Sequence, residues 1–205
     1  EQVSELTERG VPLYLTNTNV PKSMVLMDTP DFDTGKPGGY ENRPEAQKVL
    51  EACDVLVYLV TNTTYNNKDN TDFVRDILTQ LGQRKCIFVY RCSKNFSMQE
   101  VSDHLQTTAR NLYGDQVGSH VLGYFRTDES DEIQVGRKFM ELRPLPPQDE
   151  QMMELLQTLD PREIRETVNS SILDDFLGYV TKVVSDSKIS RAKIHLYTEA
   201  LKISQ

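Results

Sequence analysis

The sequence is poor in glycine. It has ten glycines in 205 residues, and none stands in the pattern Gly-x-x-x-x-Gly-Lys-Ser/Thr, which would cradle a triphosphate. It lacks any run of about eighteen apolar residues, so it predicts no membrane span. It has no charged-then-apolar leader, so we expect no secretory signal and a cytoplasmic location. Three cysteines, an odd number, favour buried reduced thiols over a disulfide framework or a zinc site.

Acidic residues exceed basic residues, 31 to 23, and give a formal charge of -8. Nonspecific binding to nucleic acid needs a basic surface that releases counterions, so nucleic acid is not an expected partner. The hydrophobic share of 38% and the charged share of 26% are typical of an ordinary globular chain. This composition excludes a disordered tail or a fibre.

Apolar and helical patterns alternate along the chain. Short apolar runs at Val11–Thr16 and Ser23–Met27, separated by turn-forming residues, predict a hairpin. Three continuous, β-branched runs then predict strands buried on both faces, and three segments with helical spacing accompany them. The strands are Val55–Val60, Cys86–Tyr90 and His120–Phe125, and the helices are Pro44–Ala52, Lys68–Leu81 and Ser97–Tyr113. This alternation predicts an α/β fold, a mostly parallel sheet with flanking helices.

The character of the sequence changes after this alternation. The proline-rich segment Arg143–Pro147 predicts a stiff connector with little capacity for a ladder or a helix, and we place a domain boundary there. Residues 1–143 would form the α/β domain and residues 148–205 a helical extension, which has no stop signal at its end and is expected to be truncated. Asp160–Glu163 is a strong helix start. The apolar stripe that follows is expected to pack inside the molecule: Ile164, Val168, Ile172, Phe176, Val180 and Val184.

The segment Met24–Thr34 carries the most chemistry. An apolar strand there would deliver Asp28 at its carboxyl end, directly before Thr29 and Pro30. Such a position places a carboxylate in the crevice where open α/β sheets bind ligands, and a carboxylate there can hold a magnesium ion through water. The alternative is a simple turn, since Asp and Pro both favour turns.

Residues 1–125 resemble the P-loop GTPases of the translation-factor and dynamin-like branch. The resemblance rests on the strand followed by Asp-Thr-Pro, on the preceding hairpin with a candidate switch threonine, and on the aspartate-led strand Asp54–Val60. It implies a P-loop NTPase-like fold with GTP and Mg2+ as ligands. In that family Asp28 and the switch residue Thr7 would meet the metal, and Thr29 would shape the second switch.

The sequence departs from the family pattern at several positions. Asp31 stands where the family has glycine, although its backbone N–H remains available to a terminal phosphate. The base-reading motif Asn-Lys-x-Asp should follow the strand ending near Tyr90, but no register there supplies the guanine-binding aspartate. Arg91 and Lys94 are candidate nucleotide contacts, with surface charges as the alternative. Arg126–Asp128 replaces the family's Ser-Ala-Lys element.

The family's first strand, phosphate loop and first helix precede the switch threonine, and this sequence begins just before Thr7. We therefore expect the α/β domain to be incomplete at its N-terminus and the 205 residues to bind nucleotide weakly or not at all. For the complete protein, the resemblance implies binding and hydrolysis of GTP or another nucleoside triphosphate, which would switch a helical effector region. No residue is assigned as catalytic.

Two other functions stay open. A nucleotide-free pseudo-GTPase scaffold that binds a protein partner is favoured by the degenerate base-reading region. A phosphatase of the haloacid dehalogenase type is suggested by Asp31–Thr34, although its late acidic motif would have to be Gly114-Asp115, after a helix. The C-terminal helices are candidate surfaces for self-assembly or a protein partner, as in dynamin-like proteins. Residues 182–205 contain five basic and two acidic residues, too small an excess to predict membrane binding.

Overall fold

The computed structural model describes residues 21, 24–29, 42–62, 64, 67–80 and 84–203. Helices and strands alternate through most of this part of the chain, and a long helix follows them. The elements are α1 (Arg43–Ala52), β1 (Val55–Thr61), α2 (Lys68–Gln80), β2 (Lys85–Cys92), α3 (Met98–Tyr113), a 3-10 turn (Gly114–Gln116), α4 (Val117–His120), β3 (Val121–Asp128), α5 (Asp131–Gln134), β4 (Arg143–Pro144), α6 (Met152–Thr158) and α7 (Pro161–Ile203).

The four strands form one sheet in the order β1-β2-β3-β4. The first three are parallel, with Val57 opposite Ile87 and Phe88 opposite Tyr124, and β4 is antiparallel to β3. The predicted α/β fold with a mostly parallel sheet and flanking helices is therefore confirmed. Each of the three long predicted strands and their helices falls within a few residues of its observed bounds.

The strand predicted at Ser23–Met27 is wrong over residues 24–27, the part that the structure describes. Residues 24–29 form no strand, and Leu26 is 67% exposed. The Met24 N–H donates to the Pro21 carbonyl at 2.9 Å, which is a turn. A strand needs a neighbouring ladder, and no described residue pairs with this segment. The other half of the predicted hairpin, Val11–Thr16, lies outside the described residues.

The larger hydrophobic core lies on the face of the sheet covered by α1, α2 and α3. Strand residues of alternating position, among them Tyr58, Phe88 and Tyr90, point into this core and meet Leu78 of α2 and Leu105 of α3. The long α3 begins with a capping box, in which Ser97 accepts from the Glu100 N–H and the Glu100 side chain accepts from the Ser97 N–H. The Glu100 carboxylate accepts from the Ser97 N–H and also from the Ser97 hydroxyl, and these two bonds, the backbone one first, hold the pKa of Glu100 below its ordinary value.

The opposite face of the sheet is covered only in part by the described residues. Ile87, Val89 and Phe125 form a small cluster there, and α6 packs Met152, Leu155 and Leu156 against it. On β1 the equivalent positions, Val57 and Leu59, stay 41% and 49% exposed. Within the described part of the chain, β1 also pairs on one side only.

The predicted stiff connector at Arg143–Pro147 is partly a strand. Arg143 and Pro144 pair with β3, and the Leu145 N–H donates to the Tyr124 carbonyl at 2.9 Å. Leu145 is only 2% exposed and belongs to the larger core. Proline is tolerated here because β4 lies at the edge of the sheet, where one of its sides needs no hydrogen bond.

Helix α7 begins at Pro161, as the sequence predicts, and the Asp160 carboxylate accepts from the Arg162 N–H at 2.8 Å. The base of this helix is attached to the domain. Ile164 and Val168 are buried, and Arg165 makes a forked ion pair with Asp54 at 3.1 to 3.2 Å. The rest of the predicted packing stripe is not buried against the described residues: Ile172, Phe176, Val180 and Val184 are exposed. All described side chains of α7 beyond residue 171 are exposed, so this part of the helix runs past the described surface of the domain.

Candidate functional site

The candidate site is the carboxyl edge of the parallel sheet. Strands β1, β2 and β3 run in the same direction, so the loops that follow them meet at one edge. Open α/β sheets bind their ligands at this edge. The loop after β2, residues 93–96, leads into α3, and the loop after β3 leads into α5.

A buried arginine fixes the loop after β2. Arg126, on β3, is 3% exposed, and its guanidinium donates to the carbonyl oxygens of Phe96, Ser93 and Lys94 at 2.5, 3.2 and 3.4 Å. Its Nε atom donates to the Asp128 carboxylate at 2.7 Å. Because the guanidinium has five donors in a fixed plane, it can hold several loop carbonyls at once. The backbone around Lys94 is therefore held by a side chain from the next strand.

Ion pairs tie the loop after β3 to its neighbours. The Asp128 carboxylate also accepts from Arg143 of β4. Arg91, near the end of β2, pairs with Glu129 through its Nε atom at 3.2 Å, and the Glu129 N–H donates to the Cys92 carbonyl at 2.9 Å. These contacts join the ends of β2, β3 and β4 into one charged network.

A shallow groove of about 240 Å³ opens beside this network, and we call it the carboxyl-edge groove. It is smaller than the roughly 300–1,000 Å³ of typical ligand pockets. Basic and acidic side chains both line it, and the ring of Phe139, 94% exposed, stands at it. The lining residues are Lys94, Asp128, Ser130, Glu132, Ile133, Lys138, Phe139, Glu141 and Arg143. Such a lining suits a polar ligand that carries an anionic group together with hydrogen-bond donors.

The structure brings two of the predicted site residues to this edge. Lys94 lines the carboxyl-edge groove, and Arg91 lies in β2 within the ion-pair network. Asp28 is exposed and Thr29 half-buried in the segment 24–29, which forms no strand. Thr7 and Asp31 lie outside the described residues.

The described residues do not by themselves fit a magnesium site. Among them, no group of three or more His, Cys, Asp or Glu side chains lies close enough to hold a metal ion. Asp28 is the one predicted metal ligand that the structure describes, and it is exposed.

The residues that sequence reasoning missed are Arg126, Asp128 and Arg143. Arg126 and Asp128 stand two positions apart directly after the predicted strand His120–Phe125, and because β3 extends to Asp128 both side chains lie on one face. That spacing could have suggested an ion pair. The partner carbonyls at residues 93–96 and Arg143 are distant in sequence, so their role depends on the pairing of β2, β3 and β4.

The three cysteines are free thiols, as the sequence predicts. Burial raises the pKa of Cys86, and burial likewise raises the pKa values of Cys53 and Cys92, with nearby arginines acting in the opposite direction. A thiol that resists ionisation is a poor nucleophile and metal ligand. These side chains therefore serve the hydrophobic core.

Comparison with known protein families, with curated proteins and with solved structures finds no match. Among the helices that the structure describes, none has the length and apolar character needed to cross a membrane.

Proposed function

We propose that this chain is part of a nucleotide-binding domain of the P-loop GTPase type, with its ligand at the carboxyl edge of the sheet. The observation that carries the proposal is the position of Lys94, in a loop held by Arg126 at the edge where β1, β2 and β3 end. The three strands are neighbours in chain order and parallel, as the resemblance implies. The Asp28-Thr29-Pro30 motif supports the same interpretation.

The proposed ligand is a nucleoside triphosphate without strict guanine selectivity. After Lys94 the chain continues with Asn95 and Phe96, so no carboxylate stands in this loop to accept from a guanine ring. Phe96 packs its ring against Tyr90 and His104, at centroid distances of 6.4 and 6.3 Å. Its ring is therefore occupied in packing against the core.

The test is nucleotide binding by the full-length protein that the gene encodes, measured by the anisotropy of fluorescent GTP and ATP analogues with magnesium. We expect Lys94→Ala to weaken binding by about tenfold or more, because a charge-assisted contact to an anion is lost. Lys68→Ala is the matched control, since Lys68 is exposed on α2 and pairs only at the surface with Asp72 at 3.3 Å. Equal affinity in the two variants would remove the role given to Lys94.

Asp28 is tested in the same assay, and phosphate release reports hydrolysis. We expect Asp28→Ala to reduce the dependence of binding on magnesium, whereas Asp115→Ala, an exposed aspartate in the turn after α3, should leave it unchanged. Equal magnesium-dependent affinity in wild type and Asp28→Ala would overturn the metal role of Asp28.

A second candidate function is a nucleotide-free scaffold that binds a protein partner with the same fold. The observation that favours it is the ion pairing at the carboxyl edge, where Arg91, Arg126 and Arg143 are committed to Glu129 and Asp128. Paired arginines have less charge to offer a triphosphate. Failure of the full-length protein to bind either nucleotide at millimolar concentration would overturn the nucleotide proposal and favour the scaffold.

A further inference from the structure

Helix α7 carries an exposed apolar seam with the spacing of a coiled coil. We define the α7 seam as the positions that alternate by three and four residues from Leu173 to Tyr197. Apart from two serines, these side chains are apolar and between 38% and 73% exposed. The seam residues are Leu173, Phe176, Val180, Val183, Ser187, Ser190, Ile194 and Tyr197.

The spacing of the seam repeats every seven residues and averages 3.5 residues per turn. Side chains with this period stay on one side of two helices that wind around each other with a left-handed twist. The seam spans 25 residues, or about 37 Å of helix. Beyond residue 171, all side chains described on α7 are exposed, so the described part of the chain leaves this seam uncovered. Six of the eight seam positions carry exposed apolar side chains, and such a surface marks an interaction site.

We propose that the α7 seam packs against the same seam of a second copy of this chain, as a parallel, in-register, two-stranded coiled coil. The residues that flank the seam argue for this occupant. In a parallel pair, the residue that precedes the first seam position of each seven-residue repeat (residues 172, 179, 186 and 193) contacts the partner residue five positions further along. Ile172 would then face Leu177, and Tyr179 would face Val184, so apolar flanks meet apolar flanks.

Further along the helix one flanking pair carries opposite charges. The same rule places Asp186 of each copy opposite Arg191 of the other, which gives two symmetric ion pairs. An antiparallel pair would lay the broad apolar half, residues 172–184, against the narrower half, residues 186–197. Leu177, Tyr179 and Val184 would then lose their apolar partners, so the parallel arrangement is favoured.

The two seam serines fix the register. In-register pairing places Ser187 and Ser190 opposite their own copies, where small hydroxyl groups can hydrogen-bond to each other. A shift of seven residues would place each serine against a valine, an isoleucine or an aromatic ring. Polar seam positions specify register in this way, at some cost in stability.

The test is the molar mass of the 205-residue chain in solution, measured by sedimentation equilibrium over a range of concentrations. We expect twice the 23.5 kDa of one chain at micromolar concentration. Val180→Asp should weaken the dimer by at least about 100-fold, because two carboxylates would face each other in the seam. Ile189→Asp is the matched control, since Ile189 is exposed on α7 but lies outside the seam, and it should leave the mass unchanged.

Orientation is tested by charge exchange. Asp186→Arg and Arg191→Asp should each weaken the dimer, and the double variant should restore it. Circular dichroism of every variant checks that the helix content is retained.

A wild-type chain that stays monomeric at 100 μM, a concentration of the order needed for even a weak dimer, would overturn the proposal. A Val180→Asp chain that stays dimeric would show that the α7 seam is not the dimer interface. A double variant that fails to restore the dimer would overturn the parallel orientation.

Discussion

The guanidinium of Arg126 and the carboxylate of Asp128 lie on the same face of β3, two residues apart, and Nε donates to Oδ1 at 2.7 Å. The pair is enclosed, with side chains 4% and 19% exposed. It therefore differs from the surface ion pairs of this chain, which are solvated and contribute little to stability. Through three loop carbonyls it also determines where Lys94 stands at the carboxyl edge.

Removal of this guanidinium should destabilise the whole domain. Arg126→Met would leave the Asp128 carboxylate with one arginine and would strip hydrogen bonds from the loop carbonyls. We expect the free energy of unfolding to fall by about 3 kcal/mol. Arg143→Met is the control, because Arg143 pairs with the same carboxylate but is 45% exposed, and its loss should cost about 1 kcal/mol or less. Urea denaturation measures both values, and equal losses would contradict the central role of Arg126.

The hydroxyl of Thr127 predicts a stabilising substitution. Thr127 is 1% exposed, and among the described residues its Oγ1 atom has no hydrogen-bond partner. Thr127→Val replaces this hydroxyl by a methyl group of the same shape, so we expect the free energy of unfolding to rise by up to about 1 kcal/mol. Thr108 is equally buried, but its hydroxyl donates to the His104 carbonyl at 3.0 Å. Thr108→Val should therefore lower stability, and the same sign for both variants in urea denaturation would refute the prediction.

His120 predicts a dependence of stability on pH. Burial, and to a smaller extent the charge of Lys85, hold the pKa of this imidazole below its ordinary value, and its ring stacks on Tyr113 at a centroid distance of 5.3 Å. In the unfolded chain a histidine takes up a proton near about pH 6.5, so the unfolded state binds more protons than the folded state below that pH. The contribution of His120 is thus present above the unfolded pKa and is lost as pH falls through the folded pKa.

The measurement is the free energy of unfolding at pH 7.5 and pH 5.5, two values that bracket the roughly 6.5 pKa of an unperturbed histidine. We expect wild type to lose more stability between the two values than His120→Gln. His195→Gln is the control, because His195 is exposed on α7, and it should lose as much as wild type. A His120→Gln chain with the full wild-type loss would show that other groups carry the pH dependence.

The parts of the fold that the sequence predicts are those with a strong local pattern. The run Val55–Val60 is continuous and β-branched, and α3 has Ser97 at its start and Gly114 at its end. Such signals need no knowledge of distant residues. The run Ser23–Met27 had an equally apolar pattern, but its described residues, 24–27, form no strand, because a strand exists only where another strand accepts its hydrogen bonds.

The candidate site likewise has one part that the sequence predicts and one part that it does not. The position of Lys94 follows from its place two residues after the end of β2, which any parallel sheet brings to the carboxyl edge. The hold of Arg126 on the loop before α3 could not be predicted, because its acceptors are backbone carbonyls, which every residue has. The exposure of Phe176 and Val180 could not be predicted either, because an apolar stripe alone does not show whether the surface that covers it belongs to the same molecule.

Among the described residues, helix α7 is attached to the domain at its first turns, so a small change in its angle displaces its far end over a longer distance. Ile164, Val168 and the Arg165–Asp54 ion pair fix the first turns, and Asp54 directly precedes β1. The helix has 43 residues and is about 65 Å long, so a tilt of about 5° at the base would displace its far end by about 6 Å. The helix would thus amplify a rotation at its attachment. That attachment lies at the amino end of β1, and the carboxyl end of β1 borders the candidate site.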